Sequence, residues 1–500
     1  MSSFLSKSSF ISGQQCEKLL WFLGHNYEPS QDLDDGAKDR LKVGEQVGNM
    51  AKKLFPNGTE IDFNFKDINL MIKQTAEAID SEKPIYEATF LSEDIIVRVD
   101  LMVNGEKGWN MYEVKSSSSV KDYHYQDAAF QWYALSLIPN LKMNKAYVVT
   151  INNKFSNDQG GDIKELFNLT DVTEFVKNQV IDISHKTNSF KEIMKQNDVP
   201  NIEIGTHCSK PHTCQYKNDC WGSHGDDSIL NLYRMKSKDK FDLYNSGIKT
   251  FDQLPKDYRL TEIQKKQVLS MSKLEPIIDH AKIDDFISQI TYPISYLDFE
   301  TFQEAIPSYK KQKPYSQMPF QFSLHVQNQP LGDIAHYEFI ADAGSDPRTS
   351  IANKLHQWIP TEGTIIAYNQ SFEMNCIKIL ADADTNNSVS LLKLNERFLD
   401  LIIPFRKGYY YHPLFNGSFS IKNVLPALCP DDSSLRYDKL NITNGGDASL
   451  IYKNFNEINP DDQEKVLSDL YAYCRLDTLA MVRILEHLIS IKNNNSDYDY

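Results

Sequence analysis

No apolar run in this 500-residue chain approaches the roughly 18 residues that a bilayer-spanning helix requires. The opening stretch, MSSFLSKSSFISGQQ, lacks the apolar core of a secretory signal. Glycine (21) and proline (20) are too sparse for a collagen-like or low-complexity chain. Only seven cysteines are present and none stands in a CxxC pair, so zinc-ribbon spacing is missing. Positive charge is in deficit, with 53 Lys and Arg against 68 Asp and Glu and a net charge of −15. That balance excludes a non-specific nucleic-acid coat, although a local basic groove can still bind phosphate. The expectation is a soluble cytoplasmic protein with no membrane partner, in which cysteines serve as ligands or free thiols rather than disulfides. The length is too great for one core, so two or three domains are expected.

What is present starts with RVDLMVNGEKGWNMYEVKSSSS, residues 98–119. Residues 95–101 are β-branched and apolar enough for a strand, Asn104-Gly105 signals a hairpin turn, and residues 109–114 read as the returning strand. Glu113 and Lys115 then leave the same face, with Asp100 near the end of the first strand and Val114 pointing into a core. Two carboxylates are hard oxygen ligands suited to Mg²⁺ or Mn²⁺. A metal held there polarises a phosphate and activates water, and the lysine steadies that water or the phosphate. An ordinary charged surface hairpin is the competing reading.

Around this hairpin, residues 38–56 read as an amphipathic helix ending before Pro56, and they carry Glu45 as a further candidate ligand. Residues 121–137 read as a helix and residues 145–151 as another strand, completing an α-β-β-α-β order. Gln126, Gln131 and Tyr133 on that second helix are either contacts to a DNA backbone or satisfied core polar groups. Cys208, Cys214 and Cys220 follow with C-x5-C-x5-C spacing. With Cys16 they make four thiolates, enough for an iron–sulfur cluster or a structural Zn²⁺, while His207 and His212 keep a mixed Cys/His zinc site open. Such a centre would clasp residue 16 to residue 220.

Asp100, Glu113-Val114-Lys115 and one early plus three late cysteines together resemble the RecB-like branch of the PD-(D/E)XK nucleases, whose iron–sulfur members include AddB and the CRISPR-associated RecB-like exonucleases. The resemblance covers about residues 4–224. It implies a restriction-endonuclease-like fold, DNA as partner, and a 4Fe–4S cluster on the four cysteines. Gly48 stands where the branch often has a histidine, and residues 126–133 do not reproduce its Q-x3-Y box.

Residues 225–290 read as a helical connector in which Ser246-Gly247-Ile248 resembles the turn of a helix-hairpin-helix, with Lys236, Lys238, Lys240 and Lys249 nearby. Residues 291–300 open a new strand with Asp298 and Glu300 on one face. Strands at 320–326, 335–340 and 363–368, a helix at 347–360, and a helix opening at residues 369–373 with Glu373 follow. A long amphipathic helix then presents Tyr473 and Asp477 one turn apart. Four carboxylates from a first strand, a middle helix and a last helix can hold two Mg²⁺ ions, with Tyr473 orienting the attacking water. DFE, N-x2-F-E and Y-x3-D in this order resemble the DEDDy form of the DnaQ-like 3′–5′ exonucleases, which implies a ribonuclease H-like fold for residues 291–490. Glu373 is one methylene longer than the aspartate usual there. Asp400 reads as supporting or structural, Cys376, Cys429 and Cys474 as core thiols, and residues 491–500 as a disordered tail.

The combination is similar to the bacterial family described as domain of unknown function 2779. The sequence therefore predicts an α/β protein with two Mg²⁺- or Mn²⁺-dependent nuclease domains, the first acting on DNA and the second trimming 3′ ends of DNA or RNA, in repair or in defence against foreign DNA. The rival expectations are that one domain alone is catalytic, that the chain is a nucleic-acid-binding scaffold, or that its cysteines sense redox state.

Overall fold

The computed structural model describes residues 4–30, 35–64, 66–157, 162–222, 224–383, 386–432 and 434–496. It is a mixed α/β protein with several sheets, divided into two units. The first comprises Met1–Gly222 with Glu304–Tyr315, and the second Ser223–Gln303 with Ser316–Tyr500. The 225–290 stretch thus packs as part of the second unit, whereas residues 304–315, read as part of the C-terminal domain, belong to the first.

The first unit holds β1 (Leu5–Ser6), β2 (Thr59–Glu60), β3 (Ile85–Ser92), β4 (Ile95–Gly105), β5 (Gly108–Lys115), β6 (Met143–Ile151) and β7 (Phe167–Asp171). They form one sheet in the order β2-β3-β4-β5-β6-β7, with β1 beside β4. β3, β4 and β5 are antiparallel neighbours and β6 runs parallel to β5. The β4–β5 turn falls at Glu106-Lys107, between the paired Gly105 and Gly108, two residues beyond the turn expected from Asn104-Gly105. The helices are α1 (Lys7–Gln15), α2 (Glu17–Gly24), α3 (Asp35–Ala51), α4 (Ile68–Asp80), α5 (Asp122–Ser136), α6 (Thr173–Lys195) and α7 (Lys217–Trp221).

Both faces of this sheet are covered. Val97, Val99, Met102, Trp109 and Met111 pack with Phe10, Phe130 and Phe190 in one core. Tyr86, Leu101, Tyr112 and Val149 pack with Val47 and Ala51 of α3 and with Ala305 in another. The alternation of strand faces reverses at one level. Val97 and Val99 lie on the first core, yet so does Met102, while Leu101 has turned to the second. β3 reverses opposite it, where Glu87 adopts φ = 61°. Asp100 sits at the reversal, so a local backbone irregularity lifts it out of the pleat.

The second unit contains β8 (Ile277–Ile278), β9 (Ile294–Phe302), β10 (Met318–Gln327), β11 (Ile334–Ile340), β12 (Thr364–Ala367), β13 (Phe398–Asp400) and β14 (Tyr410–Tyr411). Its main sheet has the order β11-β10-β9-β12-β13, the first three strands antiparallel and the last two parallel to β9. β8 and β14 form a separate pair. The helices are α8 (Ser237–Asn245), α9 (Glu262–Lys273), α10 (His280–Ile287), α11 (Arg348–Trp358), α12 (Ser371–Ala383), α13 (Ser388–Leu394), α14 (Ile403–Arg406), α15 (Ile421–Leu428), α16 (Gly445–Lys453) and α17 (Pro460–Ser496). After Ser246-Gly247-Ile248 the chain makes a single 3₁₀ turn, Phe251–Gln253, so no second α-helix completes a helix-hairpin-helix there. α17 runs through Ser496, which corrects the expectation of a disordered tail from residue 491; residues 497–500 lie outside the described residues.

Leu297 and Phe299 of β9 join Phe322, Leu324 and Val326 of β10 in the core beneath α11 and α12. The opposite face of β10 carries Gln321, Ser323, His325 and Gln327, all buried. α17 covers that polar stripe: Gln321 Nε2 donates to Leu470 O (2.8 Å), and Thr478 Oγ1 lies 2.7 Å from Ser323 Oγ and 2.8 Å from His325 Nδ1. Burial is affordable here because most of these polar groups find partners. It also fixes the helix in register, so that Asp477 is held against β9.

Candidate active sites and cysteine centre

In the first unit, β5 brings Glu113 and Lys115 to one face, and α1 and α5 close over it. Glu113 is fully buried. Its Oε1 accepts from Lys115 Nζ (2.6 Å) and from Lys7 Nζ (2.7 Å), and its Oε2 accepts from Gln131 Nε2 (2.6 Å). Lys115 also donates to Asp127, and Gln131 reaches Asp127 Oδ1 at 3.0 Å. Burial works against the Glu113 charge, but the two ammoniums prevail and hold its carboxyl far below the usual range. Asp100 accepts the Val114 amide at 2.6 Å. Burial and the Glu113 charge push its carboxyl up to about 7, with Glu87 adding to the effect. The site is a tight set of alternating charges on which a cation and a phosphate can both find partners.

Asp100, Glu113 and Lys115 therefore come together as the sequence placed them. Lys7, Asp127 and Glu87 join them without having been singled out. Asp127 is buried and Lys7 and Glu87 are half-buried, and none of the three belongs to a motif. Gln131 is a buried group at the site itself, its Nε2 bonded to Glu113 and Asp127 and its Oε1 buried without a hydrogen-bond partner. Gln126 accepts from Gln14 Nε2 (3.0 Å), and the Tyr133 hydroxyl lies 3.1 Å from Ser184 Oγ. Glu45 is exposed on α3 and is not among the leading charges acting on Asp100 or Glu113.

Cys16, Cys208, Cys214 and Cys220 line one cavity, together with Leu19, Phe22, His207 and Tyr216. Cys16 stands between α1 and α2, and Cys220 lies on α7. The loop that carries the other two is pinned to α1: Gln15 Nε2 donates to the His207 carbonyl (2.7 Å) and the His212 carbonyl (2.9 Å). The Cys214 amide donates to the Cys208 carbonyl (2.9 Å). Burial pushes the Cys214 thiol up to about 11, and the neighbouring cysteines add to it. Four thiols lining one cavity are ligand types that a thiolate-held metal centre would use.

In the second unit, Asp298 and Glu300 leave the polar face of β9, Glu373 lies in the first turn of α12, and Tyr473 and Asp477 lie on α17. Ligand atoms of Asp298, Glu300 and Cys474 all fall within 4.8 Å of one another. Cys474, read from sequence as a core thiol, has its Sγ 3.6 Å from Asp298 Oδ2. Asp477 Oδ1 accepts from the Tyr437 hydroxyl (2.5 Å), and Tyr473 also hydrogen-bonds its carboxyl. Asp400 accepts the amides of Asn369 (2.8 Å) and Ile402 (3.3 Å), a supporting role.

Burial dominates the electrostatics. Burial pushes the Asp298 and Glu300 carboxyls well up, with the Asp477 charge the next cause for each. Glu373 is pushed up to about 8 by burial, with Asp400 and Asp477 adding to it. Asp477 is raised to about 6 by burial, against the opposing Tyr437 bond and Lys422 charge. Glu373 Oε2 is buried without a hydrogen-bond partner. Lys422 Nζ, 5.2 Å from the Tyr437 ring centre and 5.3 Å from that of Tyr473, is the cation that acts on Glu300 and Asp477. Glu300 Oε2 abuts Gly445 at the start of α16, where a Cβ would come within 3.1 Å of it. A carboxylate there also faces the positive end of a helix. Lys422 and Tyr437 belong to the site and carried no motif by which to find them.

The family model described as Domain of unknown function (DUF2779) matches residues 295–420, which include Asp298, Glu300, Glu373 and Asp400. The chain is 26% identical over 399 residues to Uncharacterized protein UU173 of Ureaplasma parvum serovar 3, covering 73% of this chain and 54% of that protein. It is 25% identical over 224 residues to Uncharacterized protein MG366 of Mycoplasma genitalium, covering 41% of this chain and 33% of that protein. The chain thus spans about half the length of the first of these relatives and a third of the second, and the matched domain model places residues 295–420 alongside a recurring domain rather than a known activity.

Proposed function

We propose that the protein is a two-site, divalent-metal-dependent nuclease. The observation that carries this reading is the carboxylate cage in which Asp298 and Glu300 offer ligand atoms within 4.8 Å of one another and Asp477 and Glu373 act on Asp298 by charge. Burying four carboxyls together is costly unless a cation joins them, and Lys422 supplies a single charge. Mg²⁺ or Mn²⁺ bound there would polarise a phosphodiester and lower the pKa of an attacking water. The chain's own groups would do the rest. Tyr473, kept protonated by burial, offers a hydroxyl to orient that water, and Lys422 faces the developing negative charge. The strand order β11-β10-β9-β12-β13, with the acidic pair on the central β9, supports a ribonuclease H-like, DEDDy-type reading and 3′-end trimming of DNA or RNA.

The first unit supports a PD-(D/E)XK-like reading by its antiparallel β3-β4-β5 followed by parallel β6, with Asp100, Glu113 and Lys115 at one level. Lys115 and Lys7, now bonded to Glu113, would meet a scissile phosphate of DNA. The four cysteines lining one cavity match the ligand number of the iron–sulfur cluster we propose, and equally that of one structural Zn²⁺.

Cleavage of end-labelled single-stranded DNA, duplex DNA and RNA with Mg²⁺ or Mn²⁺ tests the proposal. Asp100→Ala should remove one activity and Asp298→Ala another. Loss of one activity only would reduce the other unit to a binding module, and no cleavage by the wild type would sink the enzymatic reading.

A further inference from the structure

The cage accounts for cutting a phosphodiester; holding the strand needs a further surface. An open groove of about 450 Å³ lies in the same unit, lined by Tyr233, Arg234, Tyr368, Arg406, Ser418 and Ser420. That volume falls within the range of ligand sites, about 300–1,000 Å³. Its wall also includes Asn369, four residues before Glu373, and Ile421, directly before Lys422. The Asn369 amide is bonded to Asp400, whose charge in turn acts on Glu373. The groove thus shares Asn369 with the bonds that hold Asp400 beside Glu373.

The groove carries two arginines. Elsewhere in the unit Arg397 donates to the backbone carbonyls of Gly363 and Pro360, and Arg348, Arg436, Arg475 and Arg483 each pair with a carboxylate. The groove arginines do not, among the described residues. Arg406 reaches the amide oxygen of Asn369 at 3.5 Å, and Arg234 lies over the Tyr233 ring, 5.4 Å from its centre. In a chain of net charge −15, two guanidiniums without acidic partners in one concave surface mark a place for an anion.

The wall is also rigid where it matters. Tyr233 is clamped through its backbone by α9: its amide donates to Gln267 Oε1 and its carbonyl accepts from Gln264 Nε2, both at 2.8 Å. Its ring packs against Phe419 with centroids 4.7 Å apart. Arg234 next to it holds a left-handed backbone, φ = 46°, which L side chains adopt at a cost. Arg234 lines the groove from this conformation. Preorganisation of this kind reduces the entropy lost on binding.

We propose that this groove seats the sugar–phosphate backbone of a single-stranded polynucleotide whose 3′ end enters the carboxylate cage. Arg234, Arg406 and the Ser418 and Ser420 hydroxyls meet phosphate oxygens. Tyr233 gives an unpaired base a face to stack on, which a base paired in a duplex cannot use. The inference deepens the nuclease reading of this unit and rests on it. DNA and RNA share the backbone that the groove would hold, so the two are compared as arms of one test.

The test uses the full chain and 5′-labelled single-stranded DNA, single-stranded RNA and blunt duplex DNA. Binding is read by anisotropy with Ca²⁺, and 3′ trimming by its KM in an Asp100→Asn background. Arg234→Gln/Arg406→Gln should weaken single-strand binding about tenfold at moderate salt and reduce the log–log salt slope by about 1.4, the counterion release of two phosphate contacts. Arg234→Glu, at an exposed position, should weaken it without disturbing the fold. Lys354→Gln/Lys393→Gln, equal in charge and outside the groove, should change it less than about twofold. Trimming with an unchanged KM in the arginine variants would overturn the groove while leaving the nuclease reading intact. Weakened binding in a wild-type background that trims nothing would keep the groove and remove the nuclease reading. Equal losses for duplex and single strand would overturn the single-strand assignment.

Discussion

Lys7 Nζ lies 2.7 Å from Glu113 Oε1, tying the first residue of α1 to β5 across 106 positions of sequence. The same oxygen takes the Lys115 ammonium at 2.6 Å. Lys7 therefore supplies charge where a divalent cation would also sit. Lys7→Met should destabilise the metal-free protein by about 2 kcal/mol, below the 3–5 kcal/mol of a fully buried broken pair, because the Lys7 side chain is 27% exposed. Thermal unfolding in chelator, then with Mn²⁺, checks this. Mn²⁺ should restore much of the loss, since the cation can occupy the vacated charge position. An equal loss in both conditions would make Lys7 a structural tie alone.

The carboxylate cage predicts the opposite sign. Asp298→Asn removes one charge from a buried cluster in which Asp477, Glu300 and Glu373 all oppose its ionisation. The variant should abolish 3′ trimming and yet unfold later than the wild type in chelator, by about 1–2 kcal/mol, as expected where a site holds charge for function at the expense of stability. With Mg²⁺ the order should invert, because the wild type alone retains its ligand set. Urea unfolding with and without Mg²⁺ measures both terms. A destabilised variant in chelator would show that Asp298 is held by bonds the cage reading leaves out.

The hairpin and the order of strands were legible because apolar alternation and motif spacing are local properties. The reversal at Glu87 and Asp100 was not, since it depends on β3 and β4 distorting together. Lys7, Asp127, Lys422 and Tyr437 reach their sites from distant segments, and a single charged or aromatic residue in a helix has no periodic signature. The β10 stripe of Gln321, Ser323, His325 and Gln327 has the alternation of a strand with one face in water, but α17 buries it. Cys474 has the apolar setting of a core thiol and lies at the cage because it is one turn before Thr478 on the same helix face. The segment 304–315 packs in the first unit through Tyr315, whose hydroxyl donates to the Ser116 carbonyl, a pairing across 199 positions that no spacing rule reports.

The cysteine cavity makes a compositional prediction. Protein purified without oxygen should carry iron and absorb in the visible, and Cys214→Ser should lose both. Because Cys16 follows α1 and Cys220 ends on α7, the centre would close most of the first unit into one loop, so its loss should lower the stability of that unit by several kcal/mol. Metal analysis paired with unfolding curves checks the two together. Zinc in place of iron would correct the identity of the centre, and no metal of either kind would leave four free thiols.

His325 predicts a pH dependence in the second unit. It is buried at the β10–α17 contact, with Nδ1 2.8 Å from Thr478 Oγ1 and its ring 4.3 Å from that of His336. Burial depresses its pKa to about 3, with the His336 and Arg475 charges acting the same way, while Glu338 opposes them at His336. The folded state thus holds His325 neutral, and the unfolded chain takes up a proton below about 6.5. Stability is unaffected by this group above that pH and falls as pH drops from about 6.5 toward 3, by about 2 kcal/mol at pH 5. His325→Asn keeps an acceptor for the Thr478 hydroxyl and cannot take up the proton. Its stability should therefore fall less than that of the wild type between pH 7 and pH 5, whatever its offset at pH 7. Parallel curves for the two proteins would show that other groups carry the acid sensitivity of this unit.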